Sequence, residues 1–301
     1  MGSKDQIVHK IASVFPKADN FYDLFGGGFS VSHYTTYFKK YPHVVYNEIK
    51  SDIVDMVRRA INGEFNYNVF KPEWISREDF ARRKDTDAYV RCIWSFGNNQ
   101  KSYLFGEENE LRKKSLHNAV VFNLFDAQAI DLLKMKTFPA HLSIRGRRLM
   151  CRSIIVNRMG ELQRLQRLQR LQRLQRLQQL QQLERLERLQ LTSKSYDQVE
   201  ILPNSVIYCD PPYKGTADYI TSFDHEKFWQ WVRSQKQPVF VSEYQAPQDI
   251  KTIMAINKKT SLSAKGKTDT KPEKLFGNDA AYLAVFPDRL HAYPDGSTGF
   301  L

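Results

Sequence analysis

The chain has 301 residues, 42 % of them hydrophobic and 13 % aromatic, which is too much apolar side chain for an intrinsically disordered protein. Lys and Arg number 45 against 33 Asp and Glu, a net charge of +12; this favours polyanionic partners, nucleic acid before membrane, though solubility alone would also account for it. Three scattered cysteines, Cys92, Cys151 and Cys209, form no CxxC pair, so no disulfide framework or metal site is expected, and a reducing cytoplasm is the natural setting. No run of about 18 apolar residues exists, so no transmembrane helix is expected. No apolar core follows Met1-Gly2-Ser3-Lys4-Asp5, so no signal peptide is expected.

Residues 1–20 read as a helix, from Ile7, Val8, Ile11 and Val14 at helical spacing. The run Phe21-Tyr22-Asp23-Leu24-Phe25 fits a buried strand and enters Gly26-Gly27-Gly28 directly. A helix over 29–39 and a strand at Val44-Val45-Tyr46 come next. Asn47-Glu48 and a helix capped by Ser51 or Asp52 follow, with Ile53, Val54, Val57 and Ile61 on one face. This is a βαβ nucleotide-binding unit with an extra helix in front. Residues 65–155 lack strand alternation and carry basic clusters at 82–84, 112–114 and 145–152. They read as a mostly helical insert with an irregular, basic surface.

Leucine recurs at every third position from Leu162 to Leu189, separated mainly by Gln and Arg. Three residues advance an α-helix by about 300°, so successive leucines circle it rather than forming a stripe; a coiled coil needs 3.5. The residues are strong helix formers. The tract 161–191 therefore reads as a helical spacer, with phosphate binding by Arg164, Arg167, Arg170, Arg173 and Arg176 the lesser alternative. Beyond it, Val206–Cys209 reads as a strand, 224–234 as a helix, Val239–Ser242 as a strand, 247–257 as a helix and Ala281–Phe286 as a strand. The tail from Pro287 reads as irregular.

Two strand ends carry chemistry, at the sheet edge where open α/β folds bind ligands. At Asp23-Leu24-Phe25-Gly26-Gly27-Gly28 the glycines let a ligand approach the backbone. The pattern is not GxGxxG, and a tight structural turn reads equally well. Glu48, about 20 residues on, is placed to accept from ribose hydroxyls, unless it is an ordinary surface acid. At Asp210-Pro211-Pro212-Tyr213 two prolines stiffen the strand exit. They hold a carboxylate, a free carbonyl and an aromatic ring together, parts suited to a planar exocyclic amine.

These residues resemble the Dam-like DNA adenine N6-methyltransferases, most closely the phage-encoded type. Asp210-Pro211-Pro212-Tyr213 matches the catalytic motif, and FYDLFGGGFSVS (Phe21 to Ser32) the methyl-donor motif. Gly2-Ser3-Lys4 with Phe15-Pro16-Lys17 matches the amino-terminal block, and Asn47-Glu48-Ile49 the acidic motif, with Glu where Asp is usual. Ser195-Tyr196 matches the aromatic that contacts the donor's adenine. The order of motifs is that of the alpha group. The resemblance covers 1–60 and 195–250 well, is patchy between them, and leaves the repeat outside.

The resemblance implies a Rossmann-like S-adenosylmethionine-dependent methyltransferase sheet, formed by 1–60 and 192–290, with 61–160 as a target-recognition insert and 291–301 as a tail. It implies S-adenosylmethionine as donor, lined by Lys4, Asp23, Phe25, Gly26, Gly27, Gly28, Glu48, Tyr196 and Asp210. Asp210, Pro211, Pro212 and Tyr213 would act on the N6 of an adenine flipped out of double-stranded DNA. Arg112, Lys113, Lys114, Arg145, Arg147 and Arg148 would contact phosphates, and Phe96, Asn98 and Asn99 the bases. The hairpin pattern expected for GATC recognition is missing, so no target site is assigned. A solitary enzyme and the modification half of a restriction system would look alike, and monomer and weak dimer stay open. Two other readings stand beside this one: a cytosine-N4 or RNA base methyltransferase, and an inactive repeat protein that binds nucleic acid.

Overall fold

A computed structural model describes residues 4–65, 70–96, 99–159, 188–213, 223–256, 273–289, 291–292 and 298–299. The chain forms two compact units, one of residues 2–54 with 186–301, the other of 55–185.

The first unit is built on a seven-stranded sheet. In chain order it contains α1 (Val8–Ser13), β1 (Asn20–Asp23), α2 (Ser30–Tyr34), β2 (His43–Asn47), the start of α3 (Ser51–Ile61) and β3 (Leu189–Thr192). Then come β4 (Ser205–Cys209), a helix His225–Ser234 (α9 below), β5 (Val239–Glu243), β6 (Lys251–Ile256), β7 (Glu273–Gly277) and a helix Asp279–Val285 (α10 below). The strand order is β3-β2-β1-β4-β5-β7-β6. β7 is antiparallel to both its neighbours, and the other pairings are parallel. The order reverses between β1 and β4, the switch point at which ligands bind beyond the carboxyl ends of strands.

Alternation along the strands divides the core into two layers. Phe21, Val44, Val206, Tyr208, Phe240 and Leu275 pack against α1, α2 and α10 through Ile11, Val31 and Ala281. Tyr22, Leu24, Val45, Ile207, Cys209, Val241 and Phe276 pack against α9 through Phe228, Trp229 and Val232. Cys209 is thus core, as alternation against Asp210 predicts.

Several expectations are corrected. Where a helix was expected over 247–257, residues 251–256 form strand β6. Its buried Ile253 and Ile256 are three apart because a bulge between Thr252 and Met254 shifts the register, and buried Ile250 just before the strand extends the spacing. Ala281–Phe286 is no strand but lies mostly in α10, started by Asn278, whose Oδ1 accepts from the Ala281 N–H at 3.0 Å. β7 went unread. The amino-terminal helix is only Val8–Ser13, and 30–39 begins as α2 and ends as a π-helix over Thr35–Lys39. The helical spacer reading fails at 189–191, which lie in β3 because their backbone pairs with β2; residues 161–187 of the tract lie outside the described residues. The tail contains two short paired strands, His291–Ala292 and Thr298–Gly299.

The second unit contains α4 (Arg77–Arg83), α5 (Ala88–Ile93), α6 (Glu107–Phe122), α7 (Ala127–Leu133) and α8 (Ile144–Met159). α6, α7 and α8 share a core of Ala119, Val120, Ala129, Leu133, Phe138, Ile144 and Cys151. Trp94 N–H ends α5 on the Val90 carbonyl, while its own carbonyl accepts from Leu104 N–H and Phe96 N–H donates to the Ser102 carbonyl, with a bridge between Ser95 and Tyr103. Residues 94–96 and 102–104 therefore pair as two short antiparallel arms, where the sequence suggested only turn chemistry.

Candidate active site

The strand ends of β1 and β4 lie side by side, since Asp23 is in register with Tyr208. By alternation Asp23, Asp210 and Glu273 all fall on the α1 side of the sheet, at its carboxyl edge. β7 contributes its first residue to this edge because it runs antiparallel.

The glycine turn is held by its neighbours. Gly26 N–H donates to the Asn47 carbonyl at 2.8 Å. A Cβ on Gly26 would lie 2.1 Å from the Tyr46 ring. Gly27 takes φ 45°, a conformation glycine adopts at little cost. Its carbonyl accepts from the Tyr46 hydroxyl at 2.9 Å and its N–H donates to Glu48 Oε2 at 3.1 Å. Glu48 Oε1 accepts from Lys50 N–H at 3.2 Å. Burial raises the Glu48 carboxyl above its ordinary value, against those two N–H bonds. Gly28 is exposed. Phe29 is buried at φ 67°, a strained conformation for an aromatic residue.

Asp23 is buried beneath this turn. Its Oδ2 accepts from Ser32 N–H at 3.1 Å and Ser32 Oγ–H at 2.7 Å. Its Oδ1 has no hydrogen-bond partner among the described residues. Burial pushes the carboxyl up to about 7, against the Ser32 bonds and with help from the Asp210 charge. Beside the turn, Phe25 stacks on Tyr196 at 5.5 Å and meets Phe223 and Phe228 edge-on. The Ser195–Tyr196 segment is tied to β2 by Asn47, which donates to the Leu24 and Lys194 carbonyls and accepts from Thr192 Oγ and Lys194 N–H.

The Asp210 side chain is 22 % exposed. Lys4 Nζ lies 2.9 Å from Asp210 Oδ1, 2.5 Å from Glu273 Oε1 and 2.5 Å from the Tyr213 hydroxyl. The Tyr213 hydroxyl in turn donates to Glu273 Oε1 at 3.0 Å. Burial disfavours the Lys4 ammonium, but the Asp210 and Glu273 carboxylates outweigh it and hold its pKa above the ordinary lysine value. Burial also raises Asp210, with the Lys4 charge opposing and the Glu273 charge assisting. Pro211 is buried and Pro212 half-buried. The Tyr213 ring meets Tyr244 edge-on at 4.8 Å.

The structure thus gathers Lys4 with Asp210 and Tyr213, and Asp23, Phe25, Gly26, Gly27, Glu48 and Tyr196 about the β1 end. Sequence reasoning missed Glu273 altogether, and it placed Tyr46 in a strand and Asn47 in the acidic motif without giving either a role at the site. Tyr46 and Asn47 lie beside the acid that was noticed, whereas a Glu opening an unread strand gives no signal of its own.

In the second unit, Phe96 is 52 % exposed. Asn98 lies outside the described residues. Asn99 is exposed, but its Oδ1 accepts from Lys101 N–H and Ser102 N–H, both at 2.9 Å; it shapes the turn at 99–102. Arg112, Lys113 and Lys114 lie on α6, Lys113 over the Phe105 ring. Arg145 is exposed on α8. Arg147 donates to the Leu142 and Val121 carbonyls at 3.1 and 3.5 Å. Arg148 is half-buried. Among the described residues no group of His, Cys, Asp and Glu is arranged to hold a metal ion, and no helix is long and apolar enough to cross a membrane.

A sulfonium-bearing nucleoside needs an aromatic wall, a carboxylate for ribose hydroxyls and close backbone approach. Phe25 with Tyr196, Glu48 and the Gly26 turn supply these, and the unpartnered Asp23 Oδ1 leaves an acceptor beneath them. The residues fit S-adenosylmethionine.

None of the curated proteins compared with the chain matches it. Among solved structures, the rRNA methyltransferase AviRa from Streptomyces viridochromogenes aligns at 9 % identity, with 94 % of this chain and 86 % of that one covered and a TM-score of 0.33. The sequence model of the D12 class N6 adenine-specific DNA methyltransferases matches residues 1–268. The chain belongs to that family, and it is an adenine-specific DNA methyltransferase that uses S-adenosylmethionine.

Proposed function

We propose that Asp210, with the Pro211 carbonyl, receives the amino group of an adenine extruded from double-stranded DNA, and that residues 55–185 hold the duplex. One observation carries this reading: at the switch-point edge a partly exposed carboxylate follows a buried strand and is braced by a buried ammonium at 2.9 Å.

The N6 lone pair is delocalised into the adenine ring and must localise before it can attack a methyl group. Asp210 and the Pro211 carbonyl each accept one N6–H, which favours the localised, tetrahedral nitrogen. Donor bound over Phe25, Tyr196 and Glu48 supplies an electrophilic methyl on a positively charged sulfur. As the N–C bond forms, the positive charge arrives on N6, where the Asp210 carboxylate stabilises it. One N6 proton then passes to Asp210, whose burial-raised pKa makes it a better acceptor than an ordinary aspartate. Tyr213 offers a ring for the extruded base to pack on. Extrusion costs a few kcal/mol, and the exposed Phe96 on the first of the paired arms suits filling the gap. The exposed Lys114 and Arg145 suit phosphate contacts. We take the cytoplasm as the working setting.

The test is mass spectrometry of nucleosides from unmethylated duplex DNA, and separately from RNA, after incubation with protein and S-adenosylmethionine. N6-methyladenine in the duplex alone is expected. N4-methylcytosine or a methylated RNA base would overturn the substrate assignment. No methylated base, from protein that still binds the donor, would favour the inactive nucleic-acid-binding reading.

A further inference from the structure

We propose that Glu273 is a positioning residue for methyl transfer, acting through Lys4 and Tyr213 to keep Asp210 available to the substrate amine. This rests on the functional reading above and extends it to a residue on β7, outside the matched region of the family.

Glu273 is 5 % exposed and opens β7 at the same sheet edge as Asp210. Its Oε1 accepts from both Lys4 Nζ and the Tyr213 hydroxyl, while Lys4 also donates to that hydroxyl. Lys4, Tyr213 and Glu273 therefore close a triangle, and the ammonium is shared between two carboxylates. One positive and two negative charges meet there, an excess of one negative charge.

Without Glu273, Lys4 would pair with Asp210 alone, and the Tyr213 hydroxyl, which also hydrogen-bonds Asp210, would no longer be shared with a second carboxylate. The group that must accept N6–H would then be occupied and neutralised. With Glu273 present, the excess negative charge stands where positive charge arrives on N6. The transfer breaks the S–CH3 bond and forms the N–CH3 bond, and the N6 proton goes to Asp210. Glu273 takes no part in bond making.

Glu273→Gln keeps the shape and removes the charge. Its expected effect is a fall in kcat of roughly ten- to hundredfold, with KM for S-adenosylmethionine nearly unchanged. The acid limb of the kcat profile should move to lower pH, because the Glu273 charge helps to raise Asp210. The other groups that face Asp210 electrostatically, Lys4, Tyr213, Asp23, Tyr208 and Cys209, are unaltered in that variant. The same downward shift should appear in donor-free protein when the Asp210 carboxyl is titrated by NMR with labelled aspartate. Glu273→Asp should recover part of kcat. A wild-type protein active on adenine beside a Glu273→Gln variant with unchanged kcat and unchanged limb would overturn the proposal. So would equal losses of kcat and donor affinity in both variants, which mark a purely structural role. A wild type that methylates no DNA would instead overturn the functional reading itself.

Discussion

The ends of β1 and β4 occupy equivalent places, adjacent in the sheet and each closed by an aspartate on the same face, yet they are finished differently. Asp23 is buried against a neutral serine and carries an unused oxygen. Asp210 is partly exposed and faces an ammonium. Burial drives both carboxyls towards the neutral form; at Asp23 the Asp210 and Glu48 charges add to it, whereas at Asp210 the Lys4 cation opposes it. On the proposed reading, one strand end scaffolds the donor turn, and the other holds an acceptor braced by a cation for the substrate amine.

The largest expected effect breaks the Asp210 half. Asp210→Asn should lower kcat by about a thousandfold or more, measured in single-turnover methyl transfer, since it removes the charge that meets N6. Next comes the glycine turn. Gly26→Ala sets a methyl group 2.1 Å from the Tyr46 ring; calorimetry should find donor binding lost, and thermal melting should find a stability loss of about 1–3 kcal/mol.

A subtler test exploits the Asp23 carboxyl at about 7. Its folded pKa lies above the unfolded one of about 4, so the folded state holds the proton more tightly. The wild type therefore loses stability through this group as pH rises from about 4 to 7. Asp23→Asn keeps an acceptor for Ser32 and does not titrate, so its melting temperature should gain on the wild type across that window. A constant gap would show that Asp23 is not held neutral. Smallest is Tyr46→Phe, which deletes the hydroxyl bonded to the Gly27 carbonyl. About 0.5–1.5 kcal/mol of stability should go, with a modest rise in KM for the donor.

The β1 end was legible because its parts are contiguous: strand, glycines, helix and Glu48 fall within thirty residues. The β4 end was legible only in Asp210-Pro211-Pro212-Tyr213. Its partner Glu273 arrives on a strand whose existence depended on reading 247–286 correctly. There a bulge in β6 imitated helical spacing. Apolar Ala281–Phe286 imitated a strand, although Asn278-Asp279 was a helix-start signal. The pairing of 94–96 with 102–104 was hidden because it runs through Trp94, Phe96, Ser102 and Leu104, which show no alternation.

The most direct test of the difference between the two strand ends is donor affinity and single-turnover methyl transfer, measured together in Asp210→Asn and Asp23→Asn. The account predicts that Asp210→Asn binds S-adenosylmethionine and transfers almost no methyl to adenine, while Asp23→Asn binds it weakly and transfers at nearly the wild-type rate once saturated. The reverse pattern, or equal loss of transfer in both at saturating donor, would contradict it.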